Sequence, residues 1–522
     1  MWTVCLYIVI STFLYFGSEN SAELISDEDK AWKFLYDSDQ VYTNSCLYGK
    51  YNDLGMTTND FAWQNFSDHL LKRAFNATAE TEAIAQVFDQ ISQLKEGKRV
   101  RELGAEMRQI FFGSTICSYT GHQIDIKGNC EMLNRSEVLQ ASYNTLSSDE
   151  RKYYWVEQHN TVGRMRNAYI ERQQLRKELN IYPKYKYLWF FGSEQSAESI
   201  DQDLENMWEK IFPLYKQVHA YVRRHLINVY GDSIVTGNGP IPAHLFGPLT
   251  EHWWGIIDIA LPYPEKDSNV TEILKKRNTT VRDMFNLSED FFVSLGLPSL
   301  DESFWSNSYF QPNIHCSPRF NFSCEGEVTG LSACTPINEF YLRTIIGSFT
   351  FVHVYNQKFL REPRWPNILT KLESSSFQIA LRYAVELSTW TNDYLSKVGI
   401  TEAIPKTKGQ VTADDINHLM KVVLRYFVRI SEMYKIEKWE LDTVTFKTSD
   451  KDYNKMWWKN SLKYQGICPP VRRTENDFDP AISKTVAQNV PPAEEIIAIT
   501  YTFQFYKAAC KEAGHTDLLS RW

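Results

Sequence analysis

The 522-residue chain holds no Cys-x-x-Cys pair, and no two of its eleven histidines stand four residues apart. The first absence argues against a zinc knuckle or a thioredoxin-type redox site. The second removes His-Glu-x-x-His, the spacing that sets two imidazoles on one helix face around zinc with the Glu as base. Walker and dinucleotide Gly-rich loops are missing too. Gly347-Ser348 has no Gly-x-Ser-x-Gly elbow around it, so a serine nucleophile has no support there. No basic patch tracks a phosphate backbone. The net charge is −8, with both signs spread along the chain, which argues against a nucleic-acid partner. No long repeat or low-complexity tract divides the sequence. Its length fits one very large domain or several ordinary ones.

Long apolar runs are scarce as well. The one near the start, Val4 to Phe16, is followed by small polar residues. It fits the hydrophobic core of a secretory signal, although a positive leading segment is missing. Residues 1–22 are read as that signal, with cleavage near Ala22; the competing reading is an N-terminal anchor. No other segment approaches the ~18 apolar residues of a membrane-spanning helix. The mature chain is expected to be exported, soluble and without a transmembrane anchor. Seven Asn-x-Ser/Thr sequons agree with export: Asn65, Asn76, Asn134, Asn269, Asn278, Asn286 and Asn321. Beyond Cys5, eight cysteines remain, and some should pair in an oxidising compartment. Their connectivity does not follow from their number.

Helical periodicity dominates what is present. Over 199–230, Ile200, Leu204, Met207, Ile211, Leu214, Val218 and Val222 form one stripe. Ser199 with Gln202 reads as a capping box, Gly231 as the stop, and Pro213 as a kink or a split. Over 412–433, Thr412 with Asp415 reads as the cap, and Ile416, Leu419, Met420, Val423, Leu424 and Phe427 as the buried face. Shorter helical patterns lie at 79–95, 99–112, 162–179 and 493–513. Convincing alternating strands are few, so the class is mainly α. The stretch "IIGSFTFVHVYNQK" (345–358) suits a strand by composition. A stripe of Leu342, Ile345, Ile346, Phe349 and Val352 favours helix. Its His353, alone on an apolar face, reads as a hydrogen-bonded core residue rather than a ligand. Glu494 and Glu495, adjacent near a helix start, read as a solvated first turn.

Five blocks carry a resemblance: "LYKQVHAYVRR" (214–224), "GPIPAHLFG" (239–247), "DFFVSLGL" (290–297), "LKYQGICPPVRRTENDFDP" (462–480) and "FQFYKAACKEAGHT" (503–516). They are collinear and resemble the angiotensin-converting enzyme (peptidyl-dipeptidase A) family over roughly residues 30 to 522. The resemblance implies a mainly α, large multi-helix ellipsoid with a deep central channel between two subdomains. It also implies one peptidyl-dipeptidase A-like domain over 23–522. Active members are zinc carboxydipeptidases that release C-terminal dipeptides.

Mapped without gaps from Cys334, the family's zinc motif falls on Gly347 and Phe351 for the two His ligands and on Ser348 for the Glu base. A three-residue gap would align Thr344, Ile345 and Ser348 instead. Neither register supplies a zinc ligand, and His353 lies outside both. The third ligand belongs to the pattern Phe-His-Glu-Ala-Ile-Gly-Asp. Here the run is "FQIALRY", so Ile379 stands for Glu and Gln378 for His, with Glu373 nearby. Family residues that hold the substrate carboxylate map to His252, Ser483 and Pro492, with Lys484 adjacent. Histidines that bind the substrate backbone or stabilise the transition state map to Ser317 and Thr485. Chloride arginines map to Glu494 and Ser461, while Trp457 and Arg164 match. A carboxylate where an anion should sit repels it. No catalytic or metal residue is therefore assigned, and both zinc and chloride are expected to be lost.

The resemblance pairs Cys316 with Cys334 and Cys117 with Cys130. It leaves Cys510 facing Trp522 where its partner cysteine is expected, and implies that the family's C-terminal helices are absent. The leading expectation is an exported, non-catalytic member that binds a peptide or an extracellular protein. The alternative is an active zinc peptidase with displaced ligands. A different hydrolase in the same fold finds no residue constellation to support it.

Overall fold

The structure is a computed structural model. It describes residues 98–120, 130–178, 197–248, 253–311, 316–322, 328–359, 375–404, 411–488 and 492–512, with Gln40 and Gly514 besides. The chain begins there with α1 (Lys98–Gly113), β1 (Thr115–Cys117), β2 (Met132–Asn134), α2 (Arg135–Tyr143), α3 (Ser148–Val162), α4 (Arg166–Glu178), α5 (Ala197–Tyr230) and β3 (Ile241–Pro242). It continues through α6 (Val270–Lys276), α7 (Val281–Ser294), β4 (Tyr309–Gln311), β5 (Cys316–Phe322), β6 (Val328–Cys334), α8 (Glu339–Phe359) and α9 (Ser375–Ser388). It closes with α10 (Ala413–Val422), α11 (Val428–Val444), α12 (Tyr453–Asn460), β7 (Ile467–Cys468) and α13 (Pro492–Glu512). Helices dominate, and no described strand exceeds seven residues. The predicted helix at 79–95 lies outside the described residues. No described helix is long and apolar enough to cross a membrane.

Two compact units divide the chain. Unit 1 comprises Met1–Lys95, Ser268–Gly409 and Thr500–Trp522; unit 2 comprises Glu96–Asp267 and Gln410–Ile499. Unit 2 is thus assembled from two separate stretches of sequence.

In unit 1, α8 is the core helix. Its stripe of Leu342, Ile345, Ile346, Phe349 and Val352 is fully buried. Each such side chain stabilises by ~1.5–3 kcal/mol relative to exposure. It packs against α7 and α9. Helix α7 starts at a reciprocal capping box of Thr280 and Asp283, which satisfies two of the backbone N–H groups a helix start leaves without partners. A three-stranded sheet, in the order β4-β6-β5, covers the same core; β4 pairs with β6 in parallel and β5 with β6 antiparallel. This sheet was not foreseen, because its strands are short and bulged.

In unit 2, α5 runs on through Pro213 as one helix, so of the two expected outcomes, a kink or a split, the split does not occur. It begins at Ala197, which places Ser199 inside the helix rather than at its cap. Its end is as expected: Gly231 has φ +81, the left-handed conformation a stop requires.

The Thr412–Asp415 capping box is present at the start of α10. Of the predicted buried face only Leu424 is fully buried, and Val423 and Phe427 are half-buried. Asp415, Asn417, His418, Lys421 and Val422 are buried, while Ile416, Leu419 and Met420 are half-buried. Polar burial is satisfied by specific partners. Asn417 bonds both the N–H (2.9 Å) and the C=O (2.7 Å) of Tyr263, and Lys421 meets Asp267 at 2.7 Å. Val423–Phe427 then forms a π-helical turn, which inserts a residue and rotates everything after it. The helical path continues to Val444, past the predicted end at 433.

Three blocks of the resemblance converge in unit 2. Ile241 and Pro242 pair in parallel with Ile467 and Cys468. The Tyr215 hydroxyl donates to the carbonyl of Gln465 (2.9 Å), and a ring nitrogen of His219 meets that of Gly466 (3.0 Å). Gly466 has φ +65, and a Cβ there would stand 2.7 Å from His219 Nε2. Glycine is required both by its conformation and by that approach.

Candidate functional site

The positions that the resemblance assigns to zinc lie on α8 and α9, two packed helices of unit 1. Gly347 sits where α8 crosses α9. A Cβ added to it would stand 3.0 Å from the carbonyl oxygen of Arg382, 3.1 Å from Arg382 Cγ and 3.3 Å from Glu386 Cβ. The crossing has no room for an imidazole without parting the helices. In the run "FQIALRY", Arg382 occupies the position that the family pattern gives to Gly. A large residue on α9 thus faces the smallest residue on α8.

The neighbouring positions carry no metal donors arranged for coordination. The Ser348 hydroxyl donates to the carbonyl of Thr344 within its own helix (2.7 Å). The Phe351 ring stacks on Phe320 of β5, centroids 5.7 Å apart. Ile379 is aliphatic and half-buried. Zinc binds thiolate sulfur, imidazole nitrogen or carboxylate oxygen, typically three or four at once. Gly347, Phe351 and Ile379 have no such atom in their side chains, so these residues do not fit the ion. Among the described residues, no group of three or more His, Cys, Asp or Glu could hold a metal.

His353 is six residues beyond Gly347, about 240° further round the helix at 3.6 residues per turn. It faces α7, not α9. Its Nε2 is 3.4 Å from Oε2 of Glu289, and its ring stacks on Phe292 at 4.6 Å. The other Glu289 oxygen accepts the N–H of Leu300 (2.6 Å). Both groups are buried. His353 is a core residue, as the sequence suggested; the carboxylate beside it was not foreseen, and its Nε2 makes no hydrogen bond.

Sequence reasoning missed one contact with the outline of a nucleophile and base. In unit 2, Ser148 Oγ lies 2.9 Å from His244 Nε2. His244 is buried, and its Nδ1 has no hydrogen-bond partner. Burial first, then the charges of Lys152 and Arg151, pushes its pKa down to about 3, against the opposing pull of Asp149. A proton taken from Ser148 would leave an imidazolium with no acceptor for Nδ1–H and with two cations close by. A working base needs that nitrogen oriented and its charge stabilised. The pair is therefore a neutral contact at the start of α3.

The positions that the resemblance assigns to chloride lie in a different part of the fold from those it assigns to zinc, in unit 2. Ser461 is buried and donates to the carbonyl of Trp457 (2.9 Å). Lys435 Nζ lies 3.7 Å from the Trp457 ring centroid, in a fully buried position. Sequence periodicity did not single out this lysine, which sits on α11 among apolar residues. Arg164 is exposed, Glu494 is half-buried, and Glu495 is bonded by Arg429 at 3.0 and 3.1 Å. Glu495 is thus an ion-paired residue rather than part of a solvated first turn. Ser483 is buried and shares a 2.6 Å hydrogen bond with Thr485, and Lys484 is exposed.

Cys117 and Cys130 are joined by a disulfide beside the β1–β2 pair. The β5–β6 register sets Cys316 opposite Cys334, though their side chains lie outside the described part. Cys468 carries a free thiol, and Cys510 is buried. Asn134, Asn269, Asn278, Asn286 and Asn321 are described; Asn65, Asn76, His252 and Glu373 are not, nor is the side chain of Ser317.

A mainly helical fold, with the positions that the resemblance assigns to zinc carried on the packed pair α8 and α9, points to the class. A family model described as "Angiotensin-converting enzyme" matches residues 37–521, and the chain belongs to that family. It is 28% identical to the angiotensin-converting enzyme of Mesocricetus auratus, over 96% of this chain and 39% of that protein. It is 30% identical to that of Mus musculus, over 82% of this chain and 32% of the relative. It is 28% identical to that of Theromyzon tessulatum, over 99% of this chain and 85% of the relative. The chain thus spans about two fifths or less of the two mammalian relatives.

Proposed function

We propose that this chain is an exported member of the angiotensin-converting enzyme family that does not hydrolyse peptides and acts by binding a peptide or an extracellular protein. One observation carries the reading. At the α8–α9 crossing, Gly347 leaves no space for a ligand side chain against Arg382 and Glu386. The identities of Ser348, Phe351 and Ile379 support it further. Without zinc to lower the pKa of a bound water to about 7, and without a Glu base, hydrolysis has no nucleophile. The apolar run from Val4 to Phe16 and the seven sequons support export.

Exchange of ionic ligands for Gly, Ser, Phe and Ile makes this region a poor site for carboxylate-bearing, zinc-directed inhibitors. Such compounds should show little or no heat of binding in calorimetry. The deciding experiment is metal analysis of the purified full chain, with an assay for dipeptide release from a blocked tripeptide. Neither zinc nor release is expected. Stoichiometric zinc together with dipeptide release would overturn the reading in favour of displaced ligands.

A further inference from the structure

The β1–β2 pair turns one face to the core and the other to solvent. Ile116 and Leu133, opposite each other in the register, pack with Val138 and Tyr154. Side chains alternate along a strand, so Cys117 and its cross-strand partner Met132 point the other way. Cys130, two residues before Met132, joins them on that outer face. Met132 Sδ stands 4.0 Å from Cys117 Sγ and 3.6 Å from Cys130 Sγ. Met132 is 54% exposed, so the sulfur cluster is within reach of a solute. We propose that reduction of the Cys117–Cys130 bond converts this cluster into a three-sulfur site for a soft monovalent cation, Cu(I).

The geometry suits such an ion. Zinc–thiolate bonds are about 2.3 Å, and a three-coordinate ion with bonds of that length sets its ligands about 4 Å apart. Met132 Sδ already lies close to that distance from both cysteine sulfurs. Only the two Sγ atoms must part. Their backbone is held by other bonds: the Ser118 N–H donates to the carbonyl of Glu131 (2.8 Å), and the Tyr153 hydroxyl donates to that of Cys117 (3.2 Å). The reciprocal capping box of Asn134 and Glu137 fixes the end of β2 against α2. The donor set decides the ion. Thiolate and thioether sulfur select Cu(I), whereas Mg²⁺ and Ca²⁺ take oxygen. Zinc prefers three or four thiolate, imidazole or carboxylate donors, and this cluster offers two thiolates and a thioether.

The chemistry has two balanced steps. Two molecules of a low-molecular-weight thiol reduce the disulfide: the Sγ–Sγ bond breaks, each cysteine gains a proton, and the reductant leaves as its own disulfide. Cu(I) then displaces both protons and bonds to two thiolates and to a lone pair of Met132 Sδ, with no change of oxidation state. The ion and the disulfide exclude each other, so the site is loaded in reducing surroundings and closed in oxidising ones.

The test uses the purified full chain without oxygen. Glutathione in excess is the reductant, and thiol labelling read by peptide mass spectrometry shows whether Cys117 and Cys130 have opened. Cu(I), supplied as its bicinchoninate complex, is titrated into the oxidised parent, the reduced parent, reduced Met132→Leu and reduced Cys117→Ser with Cys130→Ser. The last variant accounts for ions taken by other thiols such as Cys468. The reduced parent should take one more ion per chain than that variant, and the oxidised parent should not. Loss of an outer-shell partner of a metal already costs about tenfold or more in affinity, so Met132→Leu, which removes a ligand, should weaken binding at least that much. X-ray absorption should count three sulfur neighbours in the parent and two in Met132→Leu. Leucine keeps the size of the side chain, so this variant carries the test even where the serine variant does not fold. Equal affinity and sulfur count in parent and Met132→Leu, capture of the ion by the oxidised chain, or a Cys117–Cys130 bond that resists glutathione in the folded protein would each overturn the proposal.

Discussion

Replacement of Gly347 by alanine sets two effects of opposite sign against each other. Glycine within a helix is destabilising by roughly 0.5–1 kcal/mol relative to alanine, so helix propensity alone predicts a gain. The α8–α9 crossing predicts a loss. The new methyl would meet the Arg382 carbonyl oxygen at 3.0 Å and Arg382 Cγ at 3.1 Å. Overpacking of a close-packed core costs about 1–3 kcal/mol. The nearest atom is backbone, which cannot swing aside as the end of a long side chain could. The net expectation is a destabilisation of about 1–2 kcal/mol. Urea unfolding followed by tryptophan fluorescence should show a lower midpoint at unchanged slope. Arg382→Ala in the same chain removes only the second contact and should restore less than half of the loss. Gly347→His should be far worse than Gly347→Ala. A Gly347→Ala variant as stable as the parent, or more so, would show that the helices are not in close contact there. The principal argument against a zinc ligand at this position would then fall.

Two further predictions concern buried histidines. His244 is held neutral, with its pKa pushed down to about 3, while the unfolded chain titrates it near its ordinary value of about 6.5. Its contribution is therefore complete above the unfolded value and is lost as pH falls from there toward the folded one. Linkage puts the loss at about 2 kcal/mol by pH 5, and the stability difference between parent and His244→Gln should shrink by that amount between pH 7.5 and pH 5. A difference independent of pH would refute it. His353→Phe should cost about 1–3 kcal/mol, because it takes away the imidazole 3.4 Å from a buried Glu289 oxygen that makes no hydrogen bond. The double variant with Glu289→Gln should recover part of that in a double-mutant cycle, and strict additivity would deny the pairing.

Legibility of the sequence differed by element for physical reasons. The α8 stripe was clear because one helix face is wholly apolar and wholly buried. The cap at Thr412 was clear because a capping box is a local exchange of hydrogen bonds. The face of α10 was not, since Asn417 and Lys421 are buried by partners about 150 residues away in sequence, and a π-helical turn then shifts the register. That Gly347, Phe351 and Ile379 carry no metal-donor atoms is a matter of residue type alone. The reason a donor would not fit at Gly347 could not, because it depends on which residues of α9 lie opposite. Lys435 and the Ser148–His244 contact were hidden likewise, each being defined by a distant neighbour.

The two-part construction of unit 2 has a consequence for synthesis. The Tyr215 hydroxyl finds its acceptor 250 residues later, at Gln465. At ~5–20 residues per second, the ribosome needs roughly 12–50 s to deliver that acceptor. During that interval the first half of unit 2, with its aromatic α5, is already outside the ribosome and lacks its second half. The nascent chain must be sheltered for that time, and a translational pause between residues 268 and 409 would lengthen its exposure to aggregation.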